Sequence, residues 1–382
     1  MRRLAALMLL LAAAALAAAC GSSSAGGDRK AAAADAGSSV LCDGAIGVMA
    51  PYSGRSATDL VQMNWARVSL DKFNLDHGTA FTLEPSDVDF DPLKGASEAR
   101  RLVSDPNVIG LVGPKTSVVT KAAGPIFDKA GMVYVSPSAT NAALTDGSLK
   151  NFYRVVSSDA LQAPRMAEFV AEQLDPQTVL VVEDDEAYSQ GLAYAIAKQL
   201  TARDVKVGRL RVRLEQPSYS SIVTQVTPQV NVIVAPLLLA TDAKRLADEL
   251  HAAGKFPEII GGDALFVNAF SVPGAYVTTY APDISKIAQG RDIIRLYQSI
   301  FGEFESFGGP AYVAMQVVLT AAYDVCRRDG GITRYAVAKE VPKIRLAHTV
   351  IGQPVAFDER HELVGAKTHV YRVTSNGFEL VG

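Results

Sequence analysis

Residues 108–141 read VIGLVGPKTSVVTKAAGPIFDKAGMVYVSPSATN, and the order of residue types in them decides the architecture. The apolar run VIGLVG ends in glycine, a loop carrying Lys115, Thr116 and Ser117 follows, and residues 116–130 read as a helix. MVYVS (132–136) is then a second short apolar strand, closed by a hydroxyl-rich loop, Pro137-Ser138-Ala139-Thr140-Asn141. Strand, helix and strand in succession, without a hairpin turn, is the pattern of a parallel sheet with crossover helices.

The same alternation extends in both directions. Upstream, AIGVM (45–49) is a strand, PYSG a turn, and 58–74 a helix with Leu60, Val61, Trp65, Val68 and Phe73 largely on one side. FTLEPSD (81–87) is the next strand, and Asp91 followed by Pro92 opens a helix over 92–104. Downstream of 152–156, strands at 178–184, 205–212, 230–236, 258–262 and 275–281 alternate with helices at 159–173, 189–201, 219–227 and 241–253. Helices at 291–305, 310–327 and 333–341 follow. With 382 residues, two α/β lobes with the chain crossing between them more than once are expected.

Composition narrows the function classes. Hydrophobic residues make up 49%, charged residues 20%, and the formal charge is −3, so the basic excess that nucleic acid binding needs is missing. Three cysteines, with no CxxC pair and no Cys/His cluster, offer no zinc site, and neither metal nor cofactor is expected.

The first residues set the compartment. Arg2 and Arg3 precede an apolar run over 4–19, shorter than a membrane span, with Cys20, Gly21 and three serines after it. This reads as a signal peptide over 1–19. The run Leu16-Ala17-Ala18-Ala19-Cys20 resembles a bacterial lipobox, which makes Cys20 the lipidation site, while Ala17-Ala18-Ala19 also satisfies ordinary signal cleavage. Residues 20–41 read as a lipid-anchored flexible tether. Cys42 and Cys326 are candidates for one disulfide in an oxidising compartment, the alternative being two buried thiols.

In open α/β sheets ligands bind beyond the carboxyl ends of strands, where loop backbone and helix N-termini converge. That rule selects Thr116 and Ser117, then Ser138, Ala139 and Thr140, then Glu186 and Tyr188 after the strand at 178–184, and Asp263 after the strand at 258–262. Hydroxyls and free amides suit a carboxylate, and an acid with an aromatic opposite them suits an ammonium, so together they describe an α-amino acid site. Each also has a plain structural reading: Ser117 or Asp263 as a helix cap, Thr140 and Asn141 as turn residues, Tyr188 packed at a hinge, Lys115 as a solvated charge.

The stretches GVMAPYSG, LVGPKTSVVTKAAGPIFDKAG, VSPSATNAALT, EDDEAYSQGLA and IGQPVAFDE resemble the substrate-binding proteins of branched-chain amino acid ABC importers, a type I periplasmic-binding family, over about 41–378. The resemblance implies two Rossmann-like lobes with parallel sheets flanked by helices, joined by hinge strands and closing on ligand by hinge motion. It puts the N-terminal lobe at 42–157 plus 283–350 and the C-terminal lobe at 158–282 plus 351–382. It implies that Ser117 meets the ligand carboxylate, that Ser138, Ala139 and Thr140 hold carboxylate and ammonium, and that Tyr188 and Asp263 face them, with Asp263 neutralising the ammonium. Leu237, Leu238 and Leu239 stand where the family has an aromatic lid, so Leu238 is taken as a wall residue. Tyr312 is the nearest candidate for an aromatic near Pro310, and Thr58 and Asp59 fall where some members place a pocket aromatic.

The function so implied is an extracytoplasmic, lipid-anchored binding protein that captures an amino acid, branched-chain or otherwise aliphatic, and delivers it to ABC permease and ATPase subunits. The alternative is a sensing lipoprotein for an amino acid, amide or small carboxylate that signals to a membrane partner. An enzyme ranks below both: there is no GxSxG, HExxH or Gly-rich phosphate loop, and the five histidines lie apart.

Overall fold

A computed structural model describes residues 41–52 and 59–382, with the side chain of Asp59 excepted. The signal segment, Cys20, the tether up to Val40 and Thr58 lie outside the described residues.

The first sheet runs β2-β1-β3-β4-β5, every pairing parallel: β1 is Asp43–Ala50, β2 Ala80–Asp87, β3 Val108–Val112, β4 Tyr134–Ser136 and β5 Phe152–Arg154. Strand period separates its two faces. Ile46 and Val48 of β1 join Trp65 and Val68 of α1 (Asp59–His77) and Val313, Val317 and Val318 of α9 (Gly309–Asp329). Ala45 and Met49 turn the other way, to Leu102 of α2 (Pro92–Ser104) and Val119 and Phe127 of α3 (Ser117–Lys129). Helix α2 begins where the sequence says, the Asp91 side chain accepting from the amides of Leu93 and Lys94 with Pro92 at the first position. Leu60, expected on the buried side of α1, is exposed.

The second sheet runs β12-β11-β10-β9-β8-β6-β7. Strands β6 (Thr178–Glu183), β7 (Val207–Arg211), β8 (Val230–Ala235), β9 (Glu258–Gly261) and β10 (Tyr276–Thr279) are parallel. Val232 and Val234 face α4 (Asp159–Gln173) and α5 (Ala187–Thr201), whereas Ile233 and Ala235 face α6 (Ser220–Gln225) and α7 (Ala240–Ala252). The alternating reading of the sequence missed the antiparallel edge, β11 (His369–Thr374) and β12 (Gly377–Leu380), a hairpin turned by Ser375 and Asn376.

After β10 the chain returns to the first sheet through α8 (Arg291–Phe301), α9 and α10 (Arg334–Glu340). The packing differs from a crossing at position 350: Ile351, Val355, Phe357 and Leu363 all bury in the core that α1 and α9 share, held by bridges Leu346–Val355 and Phe357–Leu363. The chain pairs with the second sheet from β11 onward. Cys42, just ahead of β1, and Cys326, in the last part of α9, form a disulfide with Cα atoms 5.8 Å apart, so this bond lies within one core.

Candidate functional site

The carboxyl ends of both sheets converge on a cleft of about 820 Å³ counted out to its mouth. Lys115, Thr116 and Ser117 reach it from the loop after β3 and Ser138 from the loop after β4. From the second sheet come Glu186 and Tyr188 after β6, Leu238 and Leu239 after β8, and Asp263 after β9. Phe90, Val267 and Phe307 complete the apolar wall.

On the first-sheet side, Ser117 is the opening residue of α3, where the first amides have no partner within the helix. Its Oγ accepts from the amide of Asn141 at 3.3 Å, which joins the two hydroxyl-rich loops. The Thr116 hydroxyl lines the cleft without a hydrogen-bond partner. The Ser138 hydroxyl donates to the carbonyl of Lys115 at 2.8 Å, so it fastens one loop to the other. Lys115 is 8% exposed and sets its ammonium 5.9 Å from the centre of the Phe90 ring. It is therefore no solvated charge.

The second-sheet side is acidic and aromatic. The Tyr188 hydroxyl donates to Asp263 Oδ1 at 3.0 Å. Gly262 permits this approach, since a Cβ there would stand 2.2 Å from the phenol oxygen. Burial pushes the Asp263 carboxyl up to about 7, against the lowering effect of Tyr188 and Gln162 beside it. Asp184 accepts from the amides of Glu186 at 3.0 Å and Leu238 at 2.7 Å, tying together the loops after β6 and β8. It is thus a turn-building acid, although burial raises its carboxyl to about 7.

Two contacts hold the loops in register. Arg154 at the end of β5 is wholly buried, and its five N–H donors go to Glu362, Thr145 Oγ1 and the carbonyls of Ala139 and Asn141. Asn141 Nδ2 donates across the cleft to the carbonyl of Ala187 at 2.7 Å, and its Oδ1 accepts from Ala143. Gly191 of α5 leaves room for that amide, where a Cβ would come within 2.5 Å.

Of the residues singled out in the sequence, Ser117, Ser138, Tyr188, Leu238 and Asp263 line the cleft. Ala139 and Thr140 sit behind the wall, both buried, Ala139 with its amide on Ser136 Oγ and its carbonyl on Arg154. Tyr312 does not reach the cleft: α9 turns it into the core, edge-on to Trp65, with its carbonyl accepting from Ser69 Oγ. Phe307, in the turn that enters α9, supplies the aromatic instead. An aromatic directly ahead of Gly308-Gly309-Pro310, at a helix start, was the signal in the sequence. Asp159, Gln162 and Tyr280, buried beside Asp263, were not singled out either. Asp159 shows in the sequence only as the first acid of a helix.

A sequence profile described as periplasmic binding protein matches residues 45–377. The chain belongs to that family. Among its relatives, the Leu/Ile/Val-binding protein BraC3 of Rhizobium johnstonii is 27% identical over 344 residues, covering 86% of this chain and 91% of that one. Solved members of the fold include the branched-chain amino acid transporter substrate binding protein LivJ of Streptococcus pneumoniae, in complex with isoleucine, at a TM-score of 0.79 and 20% identity over 89% of this chain and 99% of that one. The leucine binding protein LivK of Thermotoga maritima gives a TM-score of 0.79 and 20% identity, with 88% and 97% covered. The family resemblance and the α/β fold class read from the sequence both hold.

Proposed function

We propose that this protein captures an α-amino acid in the cleft, closes on it by hinge motion and hands it to the permease of an ABC importer. The observation that carries the reading is the polarity of the cleft. Hydroxyls and the start of α3 stand on one side, the buried Tyr188–Asp263 pair on the other, and apolar side chains between them. An α-carboxylate fits the first and an α-ammonium the second, each interaction strengthened by removal from water. Leu238, Leu239, Val267 and Phe307 suit an aliphatic side chain, in keeping with relatives named for leucine, isoleucine and valine. No covalent step enters this function. Family membership supports export, and Cys20 is the proposed lipid anchor; among the described residues no helix is long and apolar enough to cross a membrane.

The test is a thermal-shift and calorimetric screen of the amino acids on protein refolded to strip carried ligand. A tight ligand at 100-fold excess over its Kd adds about 2.7 kcal/mol of stability. Asp263→Ala, correctly folded by circular dichroism, loses that binding; unchanged affinity removes the ammonium role.

A further inference from the structure

We propose that Lys115 sets the side-chain specificity of the cleft: with the ring of Phe90 it forms a subsite for a side chain that ends in an oxygen acceptor, a carboxylate or an amide, on a short apolar stem. This rests on the amino acid reading above and narrows it, the apolar walls taking the stem and Lys115 the tip.

Both residues line the cleft, and the strand order puts them toward one end of it. Phe90 follows β2, the edge strand of the first sheet, whereas Ser138 follows β4, three strand positions along. At about 4.8 Å per position the tips of β2 and β4 stand roughly 14 Å apart. Lys115 follows β3, between them, and its side chain leans to the β2 side, with the ammonium 5.9 Å from the centre of the Phe90 ring. A side chain that runs from Ser117 and Ser138 toward the tip of β2 meets this pair.

The pair is fixed before any guest arrives. The amide of Lys115 donates to the carbonyl of Met49 at 3.2 Å, and its own carbonyl accepts from Ser138 Oγ at 2.8 Å. Phe90 is 5% exposed, and Asp89 and Phe90 both have positive φ, 43° and 60°. Bulky side chains rarely adopt that left-handed backbone, which costs energy wherever it is kept. Here the turn leaves the ring in the cleft wall with the ammonium over it.

An ammonium among apolar walls is largely stripped of water, and a purely aliphatic guest covers it without compensation. A carboxylate answers its charge, and an amide oxygen answers its donors. Lys115 has a contact within the chain as well, but an ammonium carries three N–H donors, so it can hold that contact and a guest together. The acids that line the same cleft, Glu186 and Asp263, stand on loops of the second sheet. Glu305, two residues before Phe307, also feels the charge of Lys115.

The experiment is isothermal titration of the stripped protein with two pairs of amino acids equal in shape, aspartate or asparagine against leucine and glutamate or glutamine against homoleucine, and with glutarate. In at least one pair, wild type is expected to bind the acceptor-ended member at least ~10-fold more tightly than its aliphatic isostere, the size of one hydrogen bond to a charged group. Lys115→Met keeps the stem and removes the charge. Folded by circular dichroism, it is expected to reverse that order, losing the acceptor-ended ligand and gaining the aliphatic one, whereas a merely structural lysine would weaken both members alike. A wild type that prefers the aliphatic isostere in both pairs, or a ratio unchanged in Lys115→Met, overturns the proposal. Should the variant not fold, the wild-type ratios decide. Leucine or homoleucine bound tightly and indifferently to Lys115 sinks the subsite and leaves the amino acid reading. Lys115-dependent binding of glutarate without binding of any amino acid does the reverse.

Discussion

Arg154→Met isolates what the buried ion pair contributes. The substitution keeps a long apolar stem but leaves the Glu362 carboxylate, 17% exposed, without its partner. It also strips donors from the carbonyls of Ala139 and Asn141 and from Thr145 Oγ1. Breaking a buried pair from one side costs about 3–5 kcal/mol. A folded body of this size unfolds with an entropy of roughly 0.7 kcal/mol per kelvin, so the expected fall in Tm is about 4–7 °C by calorimetry. The double variant Arg154→Met/Glu362→Met removes both charges and is expected to regain most of that loss. Its ligand affinity is not expected to recover, because the loop bearing Ser138 to Asn141 still lacks the guanidinium that fastens it. A fall of less than 1 °C in the single variant, or an affinity restored along with stability in the double, refutes the idea that Arg154 holds this loop for binding.

Tyr188→Phe removes the donor 3.0 Å from Asp263 and is expected to weaken ligand binding about 10-fold by calorimetry, the size of one hydrogen bond to a charged group. An unchanged Kd would leave the tyrosine a packing residue. Cys42→Ala/Cys326→Ala opens a loop whose ends are 284 residues apart, and denaturant unfolding should show a loss of about 3–5 kcal/mol. Ligand affinity should not change, because both cysteines lie in one core. Asp159, Asp184 and Asp263 are all raised by burial, so between about pH 4 and 7 to 8 the folded protein holds protons that the unfolded chain has released. Their stabilising contribution is present at the acid end and lost as pH rises through 7 to 8. The Tm of ligand-stripped protein should therefore fall from about pH 5.5 to 8.5, and a rise would contradict it.

Much of the fold was legible because parallel strands buried on both faces are short apolar runs, and their crossover helices are long and patterned. The expected helices at 92–104 and 159–173 match the structure end to end. The β11–β12 hairpin was not legible: it is short, at the sheet edge, and mixes Arg372 and Glu379 with its apolar residues. The strand-end rule found Ser117, Tyr188 and Asp263, since loops after parallel strands must face the cleft. It did not reach Asp159 or Tyr280, whose position depends on where the chain crosses between sheets. The family resemblance, which offered Tyr312 for an aromatic near Pro310, did not place it, because rotation about a helix axis, not distance along the chain, decides whether a residue near a helix start faces core or cleft.

The bond from Asn141 to the Ala187 carbonyl, with Gly191 making room for it, is a clasp the protein makes with itself. On the proposed hinge closure, this bond favours the shut arrangement whatever side chain the guest carries, so a guest would contribute only the remainder of the closing free energy. In the function proposed above the same clasp would lengthen residence time, and the proposed permease would first have to part this one amide from this one carbonyl.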